Sequence, residues 1–351
     1  MGPAAARRHS VALDTQSTPS NGKTREFSMI RFLAPLLLLL FSGSTFGADA
    51  AAPKILLVVG SGGTETYATE FAEIAGLWSA AASRAGAAID VIGLDEPAAD
   101  APSDAERLRT ALAGETAPEL WLVLVGHGTY DQREVKFNLR GPDVTDRELA
   151  SWLDGYEGSL CVVNTASASG SFVRVLARPD RVVVTATKNE AEVSYTRFGR
   201  HFAEAVGGLP EADLDNDGQV SLLEAFLHAS KRVAEFYRNE GRVATEHALL
   251  DDNGDGLGSR AEWFEGTTPT RSPGPEVEPD GDLAARKVLV RSDFEKRLTR
   301  SQRERRDALE IEIARLRRSR DDLGEEPYYE QLEALLLDLA RLYDELGAEG
   351  S

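Results

Sequence analysis

A twelve-residue stretch at residues 213–224, DLDNDGQVSLLE, constrains the fold more than any other part of the chain. It fits the pattern D-x-[DN]-x-[DN]-G-x5-E at every required position. In this pattern alternate acidic side chains converge on one point, Gly218 allows a sharp turn, and Glu224 closes the shell from the first turn of a helix. Oxygen donors of this kind suit a hard divalent cation, so we predict a calcium site. The predicted ligands are Asp213, Asp215, Asp217, Gln219 through its backbone carbonyl, Ser221 directly or through water, and Glu224.

A second copy of the pattern follows at residues 251–262, DDNGDGLGSRAE. Its predicted ligands are Asp251, Asn253, Asp255, Leu257 through its backbone carbonyl, Ser259 and Glu262. Asp, Asn and Gly are also ordinary turn residues, so metal-free turns are the alternative; two complete tandem matches favour metal. In the first loop, Val220 is the apolar residue that can pair two such loops through a short strand contact. Gly258 holds the same position in the second loop, so we expect the pairing of the two loops to be weak. Residues 207–210, GGLP, exclude a continuous helix entering the first loop, so both are EF-hand-like rather than regular EF-hands.

Charge and cysteine content exclude several kinds of partner and site. The 351 residues can hold one substantial α/β domain and a smaller unit. The formal net charge of −19 argues against nucleic acid or an anionic membrane as the main partner. Cys161 is the single cysteine, so the chain has neither an intrachain disulfide nor a cysteine metal cluster.

The N-terminal region predicts export. Residues 29–41 combine a charged start with an apolar run that is too short to span a bilayer comfortably. Small residues at 45–47 and 48–50 suit cleavage, so we predict a signal peptide over residues 29–50, with Met29 as an alternative start to Met1. The mature chain would then be periplasmic or secreted, without a membrane span, and would meet abundant calcium.

The middle of the chain alternates short apolar runs with helical patterns. The apolar runs, at residues 54–60, 88–93, 120–125, 160–164 and 181–187, predict buried strands. Helical patterns between them include residues 103–113 and 145–153. This alternation predicts an α/β fold with a doubly wound, mostly parallel sheet. The glycine run at 60–63 lacks the marks of a dinucleotide or P-loop motif and is interpreted as a strand-to-helix turn. His127, Ser167 and Thr187 follow strands, at the edge where such sheets bind ligands.

Two of these strand ends resemble a known family. The sequence GHG at residues 126–128 and the sequence ASASGS at residues 166–171 resemble the histidine and cysteine motifs of legumain-like and caspase-like cysteine peptidases. The resemblance spans about residues 54–206 and implies a caspase-like sheet. It places His127 at the catalytic histidine position and Ser167 where the family has its nucleophilic cysteine.

The exchange of cysteine for Ser167 changes the expected chemistry. A thiol with a pKa of about 8.5 is readily ionised by a nearby imidazole, whereas a serine hydroxyl needs a close base oriented by a third group. We therefore expect a domain without cysteine-peptidase activity. The alternative is an active serine hydrolase with Ser167 as nucleophile, His127 as base and N–H groups near Gly128 as oxyanion hole. In a purely structural reading, His127 is a loop residue and Ser167 and Ser169 cap a helix.

The composition divides the chain into five parts. Residues 1–50 form an extension with the signal peptide, 51–210 the α/β domain, 211–266 the tandem loops, 267–283 a Pro- and Gly-rich linker, and 284–351 a helical unit. Apolar residues in the helical unit alternate steps of four and three, at Tyr328, Leu332, Leu335, Leu339, Leu342 and Leu346. The stripe predicts a helical hairpin or a dimerising coiled coil, with a protein partner or a second copy as occupant. A docking module, in which tandem calcium loops also occur, is a third functional class.

Overall fold

A six-stranded sheet forms the centre of the computed structural model, which describes residues 53–274 and 277–349. The predicted signal peptide lies outside the described residues. The strands are β1 (Lys54–Val59), β2 (Ala88–Ile92), β3 (Glu119–Val125), β4 (Gly128–Tyr130), β5 (Val135–Phe137), β6 (Val144–Thr145), β7 (Ser159–Asn164), β8 (Arg181–Thr185), β9 (Leu249–Asp251), β10 (Phe264–Glu265) and β11 (Thr268–Pro269). The helices are α1 (Glu65–Ala85), α2 (Asp104–Ala113), α3 (Asp146–Leu153), α4 (Ser171–Leu176), α5 (Phe198–Val206), α6 (Leu222–Asn239), α7 (Arg300–Arg318), α8 (Arg320–Leu323) and α9 (Glu325–Glu349).

The main sheet has the strand order β2-β1-β3-β7-β8-β9. The first five strands run parallel, and β9 is antiparallel to β8. Helices cover both faces, so the central strands are apolar on both sides: Trp121 and Val123 of β3 point into one core and Leu122 into the other. The predicted α/β fold with a mostly parallel sheet is confirmed.

The predicted elements agree closely with the observed ones because their local signals are strong. Helix α2 begins after Ser103 and α3 after Thr145, and each cap residue exchanges hydrogen bonds with a glutamate three residues later. The small antiparallel sheet β4-β5-β6 between β3 and α3 was not predicted. Its strands have only two or three residues, which is too short for an alternating pattern.

The C-terminal helices α7 and α9 pack against each other. Tyr328 and Leu342 of the apolar stripe are buried, whereas the neighbouring Leu336 and Leu337 are 44% and 49% exposed. The stripe is therefore used at least partly within the chain, and pairing with a second copy stays a prediction. No helix in the described part of the chain is long and apolar enough to cross a membrane.

Helix α5 is capped by a carboxylate that is distant in sequence. The Oε2 atom of Glu246 accepts hydrogen bonds from the backbone N–H groups of Arg197 (2.8 Å) and Phe198 (3.2 Å). Its Oε1 atom accepts one from the Tyr237 hydroxyl at 3.2 Å. Glu246 is only 2% exposed. Burial raises the pKa of its carboxyl to about 7, although these hydrogen bonds oppose the shift.

We expect this carboxyl to make stability depend on pH. Because its folded-state pKa is raised, the native chain holds a proton that the unfolded chain has lost between pH 4.5 and about 7. Its contribution to the free energy of unfolding should therefore fall by up to about 3 kcal/mol over that interval and level off above it. Glu246→Gln keeps the acceptor oxygen and should make the measured fall shallower by that amount, as measured by urea unfolding at several pH values. An equally steep fall in the variant would contradict this assignment.

Candidate functional site

Ser167 and His127 lie at the same edge of the sheet because they follow the neighbouring parallel strands β7 and β3. Ser167 is only 4% exposed. Its Oγ atom accepts a hydrogen bond from the Gly128 N–H at 3.1 Å and donates one to the Gly128 carbonyl at 2.9 Å. The hydroxyl therefore joins the loop after β7 to the residue that follows the histidine.

The imidazole of His127 is half-buried among aromatic rings. Its ring centroid lies 4.6 Å from that of Tyr67, 5.1 Å from that of Phe71 and 6.3 Å from that of Tyr195. Burial lowers the pKa of His127, and a hydrogen bond with the Gly62 backbone opposes the shift. A largely neutral imidazole could act as a base, but within residues 53–274 and 277–349 no hydrogen bond joins it to Ser167. The pair lacks the nucleophile–base contact that would activate a serine.

The other polar residues of the ASASGS segment hold its backbone in place. Ser169 Oγ lies 3.1 Å from Thr187 Oγ1, and Ser171 Oγ donates to Asp146 Oδ2 at 3.0 Å. The interpretation of Ser167 and Ser169 as helix caps is wrong: α4 begins after Gly170 without a side-chain cap, because both hydroxyls bond elsewhere.

The first acidic loop brings three predicted ligands together. Oxygen atoms of Asp213, Asp215 and Glu224 all lie within 4.8 Å of one another. Asp213 Oδ2 accepts the N–H of Gly218 at 3.1 Å, whereas Asp213 Oδ1 is buried and has no hydrogen-bond partner among the described residues. Gly218 has a φ of 85°, which explains the glycine at the turn. A buried carboxylate oxygen without a partner is costly, and a cation in this position would satisfy it.

The first turn of helix α6 positions the Glu224 carboxylate. Ser221 caps this helix, and its N–H and hydroxyl both donate to Glu224 Oε2 at 2.8 Å. The other oxygen, Oε1, accepts the N–H of Leu214 at 2.7 Å. Burial, followed by the charges of Asp217 and Glu224, raises the pKa of Asp215 to about 6. The donors are all oxygen atoms, and their negative charges repel one another in the absence of a cation, so the group fits calcium.

The Asp217 carboxylate of the first loop is hydrogen-bonded to Gln219, whose predicted ligand atom is its backbone carbonyl and not its side chain. Asp217 Oδ1 accepts the N–H of Gln219, and Oδ2 accepts its side-chain amide, both at 2.9 Å. The Gln219 Oε1 atom accepts the N–H of Ser292 at 3.2 Å. Asp217 is therefore outside the group of three, although it follows the same turn.

The second loop does not gather its predicted ligands in the same way. Asp251 is fully buried at the end of β9, and its two oxygens accept the N–H groups of Gly254 (3.2 Å) and Gly256 (2.7 Å). The side-chain amide of Asn253 donates to Asp255 Oδ2 at 3.2 Å. Ser259 donates its hydroxyl elsewhere, and the side chain of Glu262 is 63% exposed and lies 3.5 Å from Arg260. In the described residues only the first loop has three carboxylates within 4.8 Å.

The sequence pattern assigned no role to two buried aspartates, Asp252 within the second loop and Asp280 beyond it. Asp280 is fully buried and accepts the Ser259 hydroxyl at 2.6 Å and the Asp252 N–H at 3.0 Å. Asp252 in turn accepts the N–H groups of Gly281, Leu283 and Ala284. Burial raises the pKa of both carboxyls. The segment predicted as a linker is thus held to the second loop, and the DGD sequence at residues 280–282 was the available signal.

Caspases are among the solved structures that this chain resembles. The Drosophila initiator caspase Dronc is 12% identical with a TM-score of 0.41, covering 61% of this chain and 85% of the other. Caspase-1 from Spodoptera frugiperda is 10% identical with a TM-score of 0.36, covering 58% and 88%. The protein GSU0716 from Geobacter sulfurreducens is 12% identical with a TM-score of 0.36, covering 60% and 97%. No family model and no curated protein matches the sequence. Likenesses this weak decide nothing about chemistry.

The hydrogen bonds of Ser167 lead to a prediction about stability. Ser167→Ala removes a buried donor and acceptor and leaves the Gly128 N–H and carbonyl without that partner, so we expect a loss of about 1–3 kcal/mol. Ser79→Ala is the control, because Ser79 is exposed and, among the described residues, its hydroxyl donates only to the Ala75 carbonyl of its own helix. Chemical denaturation of both variants is the measurement. Equal stability of Ser167→Ala and the wild type would contradict the structural role.

Proposed function

We propose that this chain is an exported calcium-binding protein whose caspase-like domain has no cysteine-peptidase activity and acts in binding or structure. The observation that carries the proposal is Asp213 Oδ1, a buried oxygen without a hydrogen-bond partner among the described residues. It belongs to the group in which Asp215 and Glu224 contribute oxygens within 4.8 Å. Among biological cations, calcium best suits a shell of carboxylate, carbonyl and hydroxyl oxygens.

Calcium at the first loop would act on the fold through helix α6. Leu222, Leu223 and Phe226 at the start of this helix are fully buried in the core on one face of the sheet. Glu224 lies in the same turn, so a cation held by its carboxylate would fix the entry of α6. The role proposed for calcium is to order the segment between β8 and β9, the last two strands of the main sheet.

The absence of cysteine-peptidase chemistry is proposed from the side chains at the sheet edge. Ser167 replaces the nucleophilic cysteine of the family, and its hydroxyl is bonded to both backbone groups of Gly128. Cys161 is not a substitute, because it lies fully buried inside β7, where burial raises the pKa of its thiol. The proposal of export rests on the signal pattern at residues 29–50. The proposal of a protein partner or a second copy rests on the apolar stripe of the helical unit.

We expect calcium to stabilise the metal-free chain. A ligand that binds only the native state raises the free energy of unfolding by about 2.7 kcal/mol at a hundredfold excess over its dissociation constant. The melting temperature should rise on the order of 5 °C. Differential scanning calorimetry with calcium and with chelator measures it. The double variant Asp213→Asn with Glu224→Gln should melt at the same temperature with calcium as with chelator.

A matched control separates metal binding from a general charge effect. Glu240 is an exposed carboxylate at the other end of α6, so Glu240→Gln should keep the full calcium response. Glu262→Gln tests the second loop in the same way: an unchanged response would assign the effect to the first loop. A wild-type melt that is insensitive to chelation would exclude a stabilising calcium site.

The second candidate is an active serine hydrolase, favoured by the position of Ser167 and His127 at one edge of the sheet. It requires the hydroxyl to leave Gly128 and reach the imidazole. A peptide and ester library, assayed with the wild type, His127→Ala and Ser167→Ala, distinguishes the two functions. We expect no turnover beyond that of His127→Ala; turnover that depends on both His127 and Ser167 would establish the hydrolase instead.

A further inference from the structure

A cavity of about 570 Å³ lies between the first loop and the C-terminal helices. Asp215 and Asp217 of the loop line one side, and Arg306, Glu310 and Tyr343 of α7 and α9 line another. Sites for small molecules in proteins are typically about 300–1,000 Å³. The cavity therefore has the size of a small-ligand site, and no function proposed above uses it.

Two guanidinium groups in the cavity are open to a ligand. Arg318 is occupied, because it donates to both oxygens of Asp282 at 3.0 and 2.7 Å. Arg286 and Arg317 also line the cavity, and neither forms a side-chain hydrogen bond or a contact ion pair with any residue that the structure describes, although the charge of Arg286 acts to lower the pKa of Glu310. Guanidinium groups bind carboxylates with two parallel hydrogen bonds, so this pair suits an organic carboxylate.

An aromatic surface completes the cavity. The rings of Phe294 and Tyr343 lie edge to face, with centroids 5.6 Å apart and an interplanar angle of 62°. Both line the cavity, and they remain 38% and 37% exposed. Exposed aromatic rings in a concave site offer stacking and apolar contact to a planar ligand.

We propose that this cavity binds a small organic carboxylate with an aromatic ring, and that it does so when the first loop holds calcium. The carboxylate lies against Arg286 and Arg317, and the ring lies against Phe294 and Tyr343. The calcium dependence rests on the function proposed above, because Asp215 and Asp217 belong to the predicted metal loop.

The dependence on calcium follows from the charge of the lining. Five carboxylates and four guanidiniums line the cavity, and Asp213 and Glu224 are the two further carboxylates of the metal group, so the formal charge of the cavity and the loop together is −3. Binding of one divalent cation by the loop changes this charge to −1. The cation therefore removes most of the repulsion that Asp215 and Asp217 exert on an anionic ligand.

The test uses titration calorimetry on the full chain after signal removal, with indole-3-acetate as the probe and indole-3-acetamide as the neutral probe of the same shape. Calcium alone is titrated first, and each probe is then titrated into the metal-free and the calcium-loaded chain. We expect the acid to bind the loaded chain at least tenfold more tightly than the metal-free chain, and at least tenfold more tightly than the amide binds.

A pair of variants on helix α7 locates the site. Arg317→Gln should weaken binding of the acid about tenfold and leave the calcium isotherm unchanged. Arg315→Gln is the control, because Arg315 is an exposed arginine of the same helix that does not line this cavity. Melting curves of both variants verify that they are folded.

The outcomes distinguish failure of the calcium site from failure of the cavity proposal. If the wild type takes up no calcium, the calcium site and the cavity's dependence on it are both overturned. If calcium binds but the acid does not bind at millimolar concentration, or binds no better than the amide, the cavity proposal alone fails. Equal losses in Arg317→Gln and Arg315→Gln would also overturn it.

Discussion

The buried carboxylate of Glu224 joins the first loop to the rest of the fold. One oxygen accepts N–H groups from the loop, at Leu214 and Asp215, and the other accepts the N–H and hydroxyl of Ser221. These four donors compensate much of the cost of burying a charge. The same place connects to the later chain, because the Leu222 N–H donates to the Lys287 carbonyl at 2.7 Å. Loop, helix and C-terminal segment therefore meet at one carboxylate.

The edge of the sheet shows how one placement of residues can support different chemistry. A fold brings the ends of β3 and β7 together whatever side chains follow them, and function depends on those side chains. At this edge the small, strongly hydrogen-bonding hydroxyl of Ser167 holds two segments of backbone together. A thiol is a weaker donor and acceptor and would hold these segments less firmly than the Ser167 hydroxyl does.

The sequence was sufficient for features with local signals. Buried strands are continuous apolar runs, and Asp213, Asp215 and Glu224 converge within twelve residues, so both could be predicted. The second loop also fits the pattern at its ligand positions, but Asp251 is fixed in β9 by pairing with Val183, and its surroundings include a carboxylate from a distant segment. Composition alone suggested a linker at residues 267–283. Long-range hydrogen bonds of this kind leave no periodic or spacing signal in a single sequence.

The antiparallel strand β9 has a consequence for the integrity of the sheet. Strand β8 is buried along its whole length, and β9 occupies the side that would otherwise be open. Exposed apolar edge strands are templates for pairing with other chains, and proteins usually cover or charge them. A chain that ended before residue 249 would leave β8 exposed as such a template. The acidic region after α6, which contains β9, therefore also protects the molecule from association with other copies into extended sheets.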